Sequence, residues 1–126
     1  MKPIQIILAV LLVITTSVGA RGFTTHGWGN YFCGQYLSAV HNLPPGHGSW
    51  IDRPSGRFVD DAAQYQHWLS GFISASNLWI YRAGVGKDVK ADHAATDVWM
   101  RRWCEQNPTK TVFEAVYEFV REQCGC

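Results

Sequence analysis

Four cysteines, five histidines and one Gly-x-Gly-Lys run are the features of this 126-residue chain that could support chemistry. Cys33, Cys104, Cys124 and Cys126 offer either disulfides or a reactive thiol. A reactive thiol needs a lowered pKa, from a helix N-terminus or from neighbouring cations. Cys124-Gly125-Cys126 follows the C-terminal end of a helical pattern, where the helix dipole disfavours a thiolate. The pair therefore reads as structural: one of the two bridges back to the body of the protein, or the pair closes on itself after secretion. Four cysteines allow three connectivities, and sequence alone does not choose between them. Cys104 sits one turn before Asn107-Pro108, which stops a helix because Pro lacks an N–H and pushes the preceding residue out of the α region. Cys33, far upstream, is a candidate partner for it.

The other residue types supply less. His41 and His47 flank a Pro-Pro turn, His67 and His93 lie on or beside helices, and His26 falls in a Gly-rich stretch. Zinc ligands come at tight spacing, as His-x-x-x-His or Cys-x-x-Cys, and neither occurs, so no metal site is expected. Gly84-x-Gly86-Lys87 lacks the rest of a phosphate-binding loop and has no strand predicted before it. No Gly-x-Ser-x-Gly surrounds a serine. Glu105, Glu114, Glu118 and Glu122 spread over helix surfaces without forming an acid–base pair. No catalytic residue and no cofactor are expected, and the chain reads as a non-enzyme.

Residues 1–20 read as a secretory signal peptide: Lys2, an apolar run from Ile4 to Ile14, then Val18-Gly19-Ala20. The run is shorter than the 20 or so residues a membrane span needs. Export makes disulfides permissible, and four cysteines in so small a chain fit an oxidising compartment. Residues 21–126 then form a single helical domain. Eleven basic residues less Lys2 leave ten, against ten acidic ones, so the mature chain is formally neutral. That argues against a nucleic-acid binder, which needs a clustered basic surface, and against an electrostatic membrane-surface binder. The partners expected are other proteins, with no membrane contact after signal cleavage.

The elements that must position these residues are helical. Residues 21–30 form an irregular, Gly-rich lead-in, with Asn30 as an N-cap for a short amphipathic helix over 31–41 (Phe32, Tyr36, Leu37, Val40). Residues 43–59 are a long Pro/Gly-rich loop, with short extended pieces around Trp50-Ile51 and Phe58-Val59. Residues 60–82 give the strongest helix, with Tyr65, Trp68, Leu69, Phe72 and Trp79 on one face. Its small residues, Ser70, Gly71, Ser74 and Ala75, would admit another helix at close range, and its apolar circumference predicts a central position. Gly84 reads as its C-cap. A third helix spans 92–106, with Asp92 as N-cap and a stripe of Ala95, Trp99 and Trp103. Thr111-Val112-Phe113-Glu114 is a capping box that opens a fourth, whose buried stripe is Val112, Val116, Phe119 and Val120. The fold class is all-α: a small four-helix domain stapled by disulfides.

Four motifs occur in order: Cys33-Gly34-Gln35-Tyr36-Leu37, Trp68-Leu69-Ser70-Gly71-Phe72, Trp103-Cys104-Glu105-Gln106-Asn107-Pro108 and Phe113-Glu114-Ala115-Val116. The set resembles the HdeA/HdeB family of periplasmic acid-stress chaperones over most of residues 31–120. The resemblance implies a Cys33–Cys104 disulfide, a folded form that is often a homodimer, and ATP-independent capture of unfolded clients at low pH. The helix over 60–82, with Tyr65, Trp68, Leu69, Phe72 and Trp79, is then the candidate binding surface. The loop over 43–59, the six Trp and the terminal Cys124 and Cys126 depart from that pattern. A second resemblance is to the Rap1a/Tai immunity proteins. It rests on an early Cys, Gly71-Phe72, Asn107-Pro108 and a C-terminal Cys, although that family's mid-chain Cys-x-Pro is missing. It implies tight binding to a periplasmic effector enzyme. Either resemblance implies a periplasmic or secreted protein.

Overall fold

A computed structural model of the chain describes residues 25–47, 50–53 and 56–126. The signal peptide expected over 1–20 and the start of the lead-in lie outside the described residues. A 3-10 turn, Gly27–Asn30, is followed by α1 (Cys33–Val40), α2 (Asp61–Ala83), α3 (His93–Gln106) and α4 (Val112–Cys124). The fold is thus an all-α domain of four helices carrying two disulfides. Within the long loop, β1 (Trp50–Arg53) and β2 (Gly56–Val59) pair antiparallel, Trp50 opposite Val59, which gives the two extended pieces a hairpin. Among the described residues, no helix is long and apolar enough to cross a membrane.

Local chemistry sets most helix ends. Asp60 accepts the Ala63 N–H at 2.8 Å, and Asp92 accepts the Ala95 N–H at 2.8 Å. Thr111 and Glu114 form the reciprocal capping box of α4. Gly84 and Gly125 close α2 and α4 in the left-handed conformation, at φ 64° and 67°. The α1 start differs from the expectation. Asn30 bonds Thr25 instead of capping, and Phe32 is the N-cap residue. The free N–H groups of α1 turn to the α3–α4 connection: Cys33 N–H to Lys110 O at 2.8 Å and Gly34 N–H to Pro108 O at 3.1 Å. In return, Val112 N–H donates to Tyr31 O at 2.9 Å. The turn that ends α3 at Asn107-Pro108 is also the cap of α1.

The main core gathers Cys33, Tyr36 and Val40 from α1, Tyr65 and Leu69 from α2, Met100 and Cys104 from α3, and Val112, Ala115 and Val116 from α4. A second cluster joins Ile80, Val89, Phe119, Val120 and Cys124. Two expectations are corrected. Thr96, Asp97, Met100 and Cys104 form the inward face of α3, whereas Ala95 is exposed and Trp99 and Trp103 are half-buried. The bridge from Cys104 to Cys33 rotates the helix so that its Trp stripe flanks the core instead of filling it. On α2, nothing lies within 4 Å of where a Gly71 side chain would begin, so no helix packs closely against Gly71. Nor is α2 buried all round: Leu78, Trp79 and Tyr81 are exposed near its end.

Candidate functional site

Phe72 meets Phe113 edge-on at 5.5 Å, and two turns later Ile80 packs with Phe119 and Cys124. The helices α2 and α4 therefore run side by side in the same direction. Beyond the Phe72–Phe113 contact they leave an open groove of about 500 Å³. Phe72, Ala75 and Trp79 form its α2 wall, Tyr117, Val120 and Arg121 its α4 wall, and Cys126 its far end. Trp79 is 61% exposed and Tyr117 48% exposed, although both are large aromatics. Phe113 stacks with Tyr117 at 6.1 Å, and Trp68 with Phe72 at 5.7 Å, so an aromatic row leads into the groove. Tyr117 also borders a second open groove with Trp103, Phe113 and Lys110. Contiguous exposed aromatic surface rimmed by charge is the composition of a protein-binding face.

The five residues expected to form a binding surface divide. Phe72 and Trp79 line the groove, Trp68 is half-buried beside it, and Tyr65 and Leu69 lie in the core. Tyr117, Val120, Arg121 and Cys126 complete the groove without having been singled out for it. Tyr117 follows Phe113 by one helical turn, which places it beside the α4 stripe, and that spacing is the signal available for it. The terminal cysteines close on each other, and Cys33 bonds Cys104 as the chaperone resemblance implied. Two bridges and no free cysteine mark a chain that matures in an oxidising, extracytoplasmic compartment.

A second feature is polar. Asp97 is 2% exposed. Its Oδ1 accepts from the Tyr36 hydroxyl and from Arg101 Nε at 3.1 Å; its Oδ2 accepts from Arg101 Nη2 at 2.9 Å and from Gly46 N–H at 2.8 Å. Arg101 Nη2 also reaches Leu43 O at 3.0 Å. One carboxylate thus ties α1, the start of the long loop and α3. Burial pushes the Asp97 carboxyl up, but the bonds from Arg101, Tyr36 and Gly46 outweigh it and hold the group below its ordinary range. Burial, and then the Asp97 charge, push the Tyr36 phenol far up, so it stays a donor. With both oxygens committed, Asp97 is a clamp. Asp97 and Arg101, one turn apart on a helix, were the sequence signal for it.

Ser70 Oγ lies 3.4 Å from His93 Nε2, at the edge of a small polar pocket between α2 and α3. Asp92, the carboxylate beside it in sequence, is engaged in capping Ala95. Among the described residues, no three His, Cys, Asp or Glu side chains converge as metal ligands. Gly86 and Lys87 serve packing: Lys87 N–H bonds Cys124 O at 3.0 Å, and a Gly86 side chain would begin 2.6 Å from that oxygen. No family model, curated protein or solved structure matches the chain.

Proposed function

We propose that this is an exported, ATP-independent binding protein that captures apolar segments of unfolding proteins under acid stress, in the manner of the HdeA/HdeB chaperones. The observation that carries the reading is the open aromatic groove between α2 and α4, which exposes Trp79 and Tyr117 in the folded chain. Acid enlarges that surface. Protonating Asp97 removes the charge that Arg101 and Gly46 N–H converge on and loosens α1 and the long loop from α3. Tyr65 and Leu69 then become available beside Phe72. The Cys33–Cys104 bridge keeps the loosened chain compact. The ten carboxylates and five His together make the chain strongly cationic in acid, which adds self-repulsion.

The test is aggregation of several unrelated clients at about pH 2–3, below the ordinary carboxylate range. The protein is expected to keep them soluble and to show a rise in apolar-dye binding, with Trp79→Ser and Tyr117→Ser weakening protection. A chain that stays compact there and protects nothing overturns the reading. Protection of none of these clients, with tight neutral-pH binding to one folded effector enzyme, would instead establish the immunity role that the second resemblance implies.

A further inference from the structure

Chain entropy does not explain the Cys124–Cys126 bridge. It spans a sequence separation of 2, so closing it removes little of the unfolded chain's freedom, whereas Cys33–Cys104 spans 71. The two bridges also differ in access. Cys33 and Cys104 are sealed from water. Cys126 is exposed and lines the groove with Trp79 and Tyr117, while Cys124 is buried at the end of α4. Exposed disulfides are the labile ones, because a thiolate must reach sulfur to attack it.

We propose that Cys124–Cys126 is a thiol–disulfide exchange site, and that its substrate is a cysteine-bearing apolar segment of another protein docked in the α2–α4 groove. This inference rests on the binding role given to that groove. The substrate thiolate attacks Cys126 Sγ. A bond forms between those two sulfurs, the Cys124–Cys126 bond breaks, and its electron pair leaves on Cys124 Sγ. A second thiolate of the same substrate attacks the substrate sulfur of the mixed disulfide, forms the substrate's own disulfide and releases Cys126. Two electrons pass from the substrate dithiol to the protein disulfide, and the substrate's two thiol protons end on Cys124 and Cys126. One protein molecule oxidises one dithiol.

The surroundings fit this direction of attack. Cys126 is the exposed member of the pair. Its own N–H points at Cys124 Sγ at 3.1 Å, the atom that receives the leaving charge. The α4 dipole opposes a lasting charge at its C-terminus, so the released Cys124 sulfur takes up a proton. The same dipole slows departure, so a dilute thiol reacts poorly and a docked one gains from proximity. The Lys87 N–H bond to Cys124 O, with Gly86 packed against that oxygen, fixes the ring relative to the groove. Arg121, paired at the surface with Glu118, supplies a cation along the approach.

The test uses the mature protein at about pH 8, near the pKa of a free thiol. It is mixed with a Leu/Phe-rich peptide containing one cysteine, with that peptide's serine version, or with glutathione. Quenched mass spectrometry is expected to find the peptide on Cys126, with Cys33–Cys104 intact. The peptide should react roughly tenfold faster than glutathione, or more, and Trp79→Ser should bring its rate down to the glutathione level. Trp fluorescence then reports binding of the serine peptide. Binding together with faster exchange supports the site. Binding with equal rates, or an adduct on Cys33 or Cys104, overturns it and leaves the groove reading intact. No binding at this pH overturns the exchange site, and client protection in acid then decides the groove reading on its own.

Discussion

Where α1 meets α3 and the α3–α4 turn, three kinds of bond hold the chain: a disulfide, the four-donor cluster on Asp97, and exchanged backbone hydrogen bonds around Tyr31, Cys33 and Gly34. Where α2 and α4 end, Lys87 N–H to Cys124 O ties the loop after α2 to the end of α4, and an aromatic groove lies open between the two helices. The difference teaches how a small chain combines permanence with exposure. The braced end closes a loop of 71 residues, which the chain-entropy relation values at about 4 kcal/mol. The terminal bridge closes a separation of 2, worth about 1 kcal/mol by the same relation. Stability is concentrated at one end, and that allows the other to carry unsatisfied apolar surface.

The sharpest way to break this contrast is to remove the first bridge. Cys33→Ser with Cys104→Ser should lower unfolding free energy by about 4 kcal/mol, read by urea titration. Asp97→Asn should come next, at about 3 kcal/mol, because Arg101 loses its ion-pair partner and Tyr36 its charged acceptor. Its pH signature has a definite sign. The folded value lies below the unfolded one, so the contribution is complete above about pH 4 and is lost as pH falls through the lower folded value. Stability against pH should therefore fall in acid for the parent and fall less steeply for Asp97→Asn. Thr111→Ala, which strips the N-cap from α4, should cost about 1 kcal/mol in the same titration. Smallest of all, Trp79→Ser should change stability by no more than about 0.5 kcal/mol, as surface substitutions do, while weakening client protection. A Trp79→Ser protein as unstable as Asp97→Asn would erase the distinction between the two ends.

Much of the frame was legible in the residues. Asp60, Asp92 and Thr111 announce helix starts and Gly84 a helix end, because capping is a matter of a few neighbouring atoms. The α4 stripe of Val112, Val116, Phe119 and Val120 is buried as its spacing predicts. The α1 cap was misplaced on Asn30 because its true partners, Lys110 and Pro108, lie more than 70 residues away. The α3 face was misread because three aromatic or small residues at helical spacing outweighed Asp97, a charged residue that only a buried set of donors makes apt for the interior.

The division follows the range of the forces. Sequence alone determined four helices, the starts of the last three, the Pro/Gly-rich interruption and a neutral, cysteine-bearing composition, all fixed by local propensity and period. Tertiary structure decided which cysteines meet, that Asp97 faces inward, and that Phe72 and Trp79 share a groove with Tyr117 and Cys126 while Tyr65 and Leu69 are sealed away. Periodicity says which residues lie on one side of a helix. Which part of that side another helix covers depends on where the neighbour is tethered, and here the Cys33–Cys104 bridge and the Asp97 clamp tie the elements at one end.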